Sequence, residues 1–106
     1  MKILLDECVP IQLRNAFLNH EVHSATMPGW KGLSNGQLLN RAELEGFDLL
    51  IVADKNMRHQ LDLSTRRIAI LELWTNHRPT LEIHFDYIRA AAERTASSEY
   101  VQLRQP

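Results

Sequence analysis

The sequence predicts an α/β fold, a parallel β-sheet with helices on both faces. Two observations carry this expectation. Nearly unbroken aliphatic runs of strand length occur at residues 2–5, 49–53 (LLIVA) and 68–73 (IAILEL), as expected of strands covered on both sides. Segments of helical periodicity with short connections alternate with these runs, which is the pattern of crossover units in a parallel sheet.

The first strand, residues 2–5, runs straight into Asp6 and Glu7. Pro10 suits a first helical position, and Leu13, Phe17 and Leu18 then supply the core-facing stripe of a helix that ends near Asn19 and His20. Residues 21–25 (EVHSA) alternate in polarity and form a weaker strand candidate. Pro28, Gly29 and Gly32 punctuate the loop MPGWKG. Ser34 and Gln37 have the spacing of a capping box, Leu38, Leu39 and Ala42 form the buried stripe of the helix that follows, and Gly46 stops it. Thr80 caps a last helix carried by Phe85, Ile88 and Ala92, with Arg89 and Glu93 paired at i, i+4 on its outer face. Residues 1–96 therefore make one domain, and residues 97–106 read as a loosely held, flexible C-terminal tail.

The 106 residues, 44% apolar with only 4 Gly and 4 Pro, have the composition of an ordinary globular domain with a real core. Twelve basic residues against 13 acidic ones leave a net charge of −1, so a polyanion has to be held by a local basic cluster or by metal ions. Cys8 is the only cysteine, which excludes an intramolecular disulfide and a thiolate zinc cluster and suits a reducing cytoplasm. No apolar run reaches the length of a signal-peptide core or a membrane span, so no membrane partner is expected.

Ligands of an open parallel sheet bind outside the carboxyl ends of its strands. Asp6 and Glu7 follow the first strand and Asp54 follows LLIVA, so if those strands are neighbours the carboxylates emerge about 5 Å apart. Facing carboxylates repel unless neutralised, and a hard divalent ion such as Mg²⁺ or Mn²⁺ resolves that cost. The alternative is that Asp6 and Glu7 favour the N-terminus of the helix opened by Pro10, or lie in solvent. Lys55, Arg58, His59, Arg66 and Arg67 cluster near Asp54 and could grip phosphates; the alternative is a mixed, solvated surface partly balanced by Asp62. The five histidines form no zinc set, Cys8 reads as a buried small hydrophobe, and Trp30 and Trp74 read as packing residues.

Taken together, ILLDECVP at the first strand, LSNGQLL opening a helix and LLIVADKNM closing a later strand resemble the PIN-like domain family of small bacterial proteins. Many of its members are, or resemble, the ribonuclease toxin of a toxin–antitoxin pair. The resemblance spans residues 1–90. It implies a three-layer α/β/α sandwich with a mostly parallel sheet, acids at strand ends that bind Mg²⁺ or Mn²⁺, and hydrolysis of RNA phosphodiesters. Asp6 matches the acid after the first strand and Asp54 the acid of the ADK motif, and these two would hold the metal. Glu7 would be a further ligand or the base that orients water. Asn35, Gln37 and Asn56 stand where the family often has acids; an amide oxygen can ligate a cation but adds no charge. Lys55, Arg58 or Arg67 would bind phosphate. The implied partners are RNA, a cognate antitoxin protein and, in a homodimer, a second copy of the chain.

Two other functions compete. The same fold could serve as a binding module that holds an antitoxin or RNA without cutting it, which the three amides motivate. A receiver-like phosphoacceptor domain would also place acids here, with Thr75 as its hydroxyl, but it needs a lysine ending a later strand and Lys55 is the last lysine of the chain.

Overall fold

The computed structural model describes residues 1–53 and 63–106. Its strands are β1 (Lys2–Leu5), β2 (Glu21–Ser24), β3 (Leu49–Val52), β4 (Ala69–Glu72) and β5 (Tyr100–Gln102), and its helices are a 3₁₀-helix (Ile11–Ala16), α1 (Asn35–Leu44), α2 (Arg78–Glu82) and α3 (Phe85–Arg94). The five strands form one sheet in the order β2-β1-β3-β4-β5, and every neighbouring pair is parallel.

Side-chain alternation divides the core into two layers. Ile3, Leu5, Leu49, Ile51 and Leu71 face Leu13 and Phe17 of the 3₁₀ segment and Leu81, Ile88 and Ala92 of α2 and α3. Leu4, Leu50, Val52 and Ile70 face Leu38, Leu39 and Ala42 of α1, with Trp30 and Phe47 completing that layer. Both faces of the central strands are therefore covered, which is why their sequences are apolar without alternation. The result is the expected three-layer α/β/α arrangement.

The α1 boundaries follow local chemistry. Ser34 Oγ accepts from the Gln37 amide at 3.3 Å while Gln37 Oε1 accepts from the Ser34 amide at 3.0 Å, a complete capping box. Gly46, at φ +81°, takes the left-handed position just beyond the helix. Trp30 is a packing residue, edge-on to Phe47 with the Arg41 guanidinium 4.4 Å from its ring centre.

Other elements differ from the sequence reading. The segment after Pro10 is a 3₁₀-helix, and Pro10 is its N-cap rather than its first residue. Its buried residues Leu13 and Ala16 are three apart, the repeat of a 3₁₀ turn, and the helix ends at Ala16, so Leu18 lies in the turn beyond it and is 81% exposed. Thr80 lies within α2, whose N-cap is His77, and a second break makes His84 the N-cap of α3. Arg89 does not pair with Glu93: it reaches Asp86 at 2.6 Å and the Ala16 carbonyl at 3.3 Å, while Glu93 meets His20 at 2.9 Å. The Ala16 carbonyl ends a helix and needs a donor, which the guanidinium supplies. The segment read as a loose tail contributes β5, with Leu103 buried beyond it.

Candidate functional site

Strand order locates the site. The chain leaves β1 for β2 on one side and continues β3 to β5 on the other, so the order reverses between β1 and β3, and the crevice at such a switch point opens at the carboxyl ends of those two strands. Asp6 is the first residue past β1. Its amide donates to the Ile51 carbonyl of β3 at 2.9 Å and its own carbonyl accepts from the Val9 amide at 2.9 Å, so the residue is pinned between the sheet and a tight turn. Its carboxylate accepts a hydrogen bond from the Cys8 thiol at 3.0 Å. Glu7 lies exposed in that turn.

Cys8 is exposed rather than buried among hydrophobes. Its pKa is nevertheless pushed up from 9.0 to about 11, first by partial desolvation and then by the hydrogen bond to Asp6, with a backbone hydrogen bond at Ala53 opposing them. The thiol thus ties the turn after β1 to the exit of β3. Asp54, the next residue, lies outside the described residues, as do Lys55, Asn56, Arg58 and His59.

The N-terminus of α1 comes to the same edge. Lys2, at the start of β1, donates from Nζ to the Glu45 carbonyl at 2.7 Å, which fixes the C-terminal end of α1 at the amino edge of the sheet. Ten helical residues span about 15 Å, so Asn35, the first residue of α1, stands toward the carboxyl edge with Asp6. The Gln37 oxygen is engaged by the Ser34 amide in the capping box, which removes it from the set of open donors.

Arg67 is placed elsewhere. It precedes β4 and lies beside Met1 and Asp48 at the amino edge, with its backbone amide on the Glu43 carboxylate and its guanidinium 3.4 Å from the Glu43 carbonyl. The strands are four residues long, or about 13 Å, so Arg67 is not brought to the crevice beside Asp6. Three described histidines have polar partners of their own, His20 with Glu93, His23 with Glu21 and His77 with Thr80, and His84 packs edge-on to Trp74. Among the described residues, no group of three or more His, Cys, Asp or Glu side chains is placed to hold a metal ion.

One acid escaped the sequence reading. Glu72, at the end of β4, is only 2% exposed and accepts a hydrogen bond from the Tyr100 hydroxyl at 2.7 Å. It is in register with Val52, one strand over from β1, so Asp6 and Glu72 stand about two strand spacings, roughly 10 Å, apart along one edge. The available signal was a charged residue inside the otherwise apolar run IAILEL. Glu72, Trp74, Gln102, Leu103 and Arg104 line a groove of about 450 Å³ at this edge.

Comparison of the chain with models of protein families, with curated proteins and with solved structures found no match. Among the described residues no helix is long and apolar enough to cross a membrane.

Proposed function

We propose that this chain is a metal-dependent ribonuclease of the PIN-like kind, acting in the cytoplasm as the toxin of a bacterial toxin–antitoxin pair. The observation that supports it most is the adjacency of β1 and β3 at the switch point, with Asp6 hydrogen-bonded to Ile51 of the strand that leads into Asp54. That adjacency was the condition under which the two acids could share a cation.

The donor chemistry fits a hard divalent ion, since Asp6 presents a partly exposed carboxylate. Asp6 and Asp54 would hold Mg²⁺ or Mn²⁺, with Asn35 and Asn56 as neutral donors. Such an ion, when bound, supplies Lewis acidity toward water and phosphoryl oxygens. The chain's own groups do the rest. Glu7, exposed in the turn, takes the proton of the attacking water. Lys55 and Arg58 bind phosphate, and the amino end of α1 adds a favourable field for an anion at this edge.

Purified protein is expected to cut single-stranded RNA only with Mn²⁺ or Mg²⁺, and Asp6→Asn and Asp54→Asn variants to lose cleavage while keeping the wild-type circular dichroism spectrum. Metal-independent cleavage, or cleavage that survives both substitutions, would sink the reading. Growth arrest on expression, relieved by co-expression of a small adjacent reading frame, tests the toxin assignment.

The engagement of Gln37 in the helix cap favours a second reading, a binding module with too few open ligands for catalysis. It requires RNA or an antitoxin to be bound and no RNA to be cut. A receiver-like domain has less support, because β5 runs into Leu103 and Arg104 without a lysine.

A further inference from the structure

Among the described residues, β2 ends the sheet on the side of β1. The Glu21 amide donates to the Met1 carbonyl at 3.0 Å and the Ala25 amide to the Leu5 carbonyl at 2.8 Å, so the odd-numbered residues of this segment turn their backbone groups toward β1. Backbone direction alternates along a strand, so Val22 and Ser24 turn theirs to the outer edge. The Ser24 carbonyl is used within the chain, by the Met27 amide at 3.1 Å. Val22 presents a donor and an acceptor side by side. The neighbouring side chains are sorted by face. Glu21 and His23 lie on the α1 face, where they bond each other at 2.7 Å and His23 stands edge-on to Phe47. Val22 lies on the other face, packed against the layer of Leu13 and Phe17. Beside it Leu18 is 81% exposed, and the two line a hollow of about 230 Å³.

We infer that this edge is an interface between two copies of the chain, in which β2 pairs antiparallel with β2 of a second copy about a two-fold axis at Val22. The inference does not depend on the ribonuclease reading. Val22 against Val22 of the second copy is a hydrogen-bonded pair, each amide donating to the other's carbonyl, as an isologous interface requires. The flanking positions then match in chemistry. Glu21 stands opposite His23 of the second copy and His23 opposite Glu21, so each carboxylate has one imidazole along its own strand and another across the axis. Centring the axis on His23 would set histidine opposite histidine and call on the engaged Ser24 carbonyl, and centring it on Glu21 would set carboxylate opposite carboxylate. Charged side chains on an edge strand normally keep like edges apart, but the axis at Val22 turns them into cross-strand partners. On the other face the two Val22 side chains meet beside the hollow at Leu18, which gives this exposed leucine apolar surroundings. The product is one sheet of ten strands, five from each copy, with the two Asp6 crevices at opposite edges.

The test is light scattering of the full chain over a concentration series. The wild type is expected to reach twice the 12.3 kDa of one chain. His23→Glu, which sets carboxylates opposite one another, should hold the mass at one chain while keeping the wild-type circular dichroism spectrum, and adding Glu21→Lys should restore the dimer. A second variant fixes the position of the axis. Val22→Cys in a Cys8→Ser background, oxidised with diamide, should form a disulfide between copies, since the Cα atoms of such a pair stand about 5.5 Å apart, within the reach of the bond. A wild type that keeps the mass of one chain at every concentration, a dimer that withstands His23→Glu, or a dimer that does not cross-link at Val22 overturns the interface.

Discussion

Cys8 Sγ donates a hydrogen bond to Oδ2 of Asp6 at 3.0 Å, so the carboxylate at the switch point is held by the only thiol of the chain. The bond raises the thiol pKa to about 11, after the larger effect of partial burial. Because the protonated thiol is the form favoured in the folded state, its contribution to stability is complete below 9.0 and is lost as pH rises through about 11. Iodoacetamide labelling of Cys8 should therefore be slow at pH 8, with its midpoint near 11, and Asp6→Asn should move that midpoint to lower pH. An unmoved midpoint would contradict the hydrogen bond.

Metal binding at Asp6 has its own signature. Millimolar Mn²⁺ should raise the melting temperature of the wild type through preferential binding to the folded state. Asp6→Asn should abolish the shift. Equal shifts in both proteins would place the ion elsewhere.

Glu43 ties the far end of the fold together. Its carboxylate accepts from the Ile68 amide at 3.1 Å and from the Arg67 amide, and lies 3.8 Å from the Arg66 guanidinium. The Ile68 amide is the first cause of a pKa below the usual 4.5, followed by the Arg67 amide. The depressed value means that this stabilisation is complete above 4.5 and lost as pH falls through the folded-state pKa. Glu43→Ala should cost about 1–2 kcal/mol in urea denaturation at pH 7, with the difference from wild type shrinking at acid pH.

On α1, burial ranks two leucines. Leu39 is fully buried and Leu44 is 89% exposed. Leu39→Ala should destabilise by about 2–5 kcal/mol, whereas Leu44→Ala should stay within about 0.5 kcal/mol. Thermal melts of the two variants check the assignment of the helix face.

The C-terminal residues should behave as part of the sheet. Leu103 is 7% exposed and Tyr100 supplies the described hydrogen bond to Glu72, so deleting residues 99–106 removes a strand and leaves a buried carboxylate without that donor. The truncated chain should unfold at clearly lower urea concentration, and Leu103→Ala alone should cost about 2 kcal/mol. A truncation that leaves the midpoint unchanged would restore the reading of this segment as a tail.

Signals carried within one or two helical turns were legible without the structure. Ser34, Gln37 and Gly46 bound α1 by bonds that span three or four residues, and the strands covered on both faces could be recognised from LLIVA and IAILEL alone. Where a residue's partner is distant in sequence, the reading failed. Arg89 chose Asp86 and the Ala16 carbonyl over Glu93, because packing α3 against the 3₁₀-helix brought it an unsatisfied acceptor. The periodicity after Pro10 was read at 3.6 residues per turn through Leu18, whereas the 3₁₀-helix ends at Ala16 and leaves Leu18 in an exposed turn.

The candidate site divides along the same line. By itself the sequence determined that acids follow the aliphatic runs, because a buried strand must end where its chain meets water. Only the tertiary structure decided which strand ends are neighbours. Parallel pairing put β1 against β3 and so set Asp6 beside the exit toward Asp54, while the direction of β4 carried Arg67 to the opposite edge and Glu72 to the edge of Asp6. Strand order is set by contacts between residues far apart in the chain, and no local pattern encodes it.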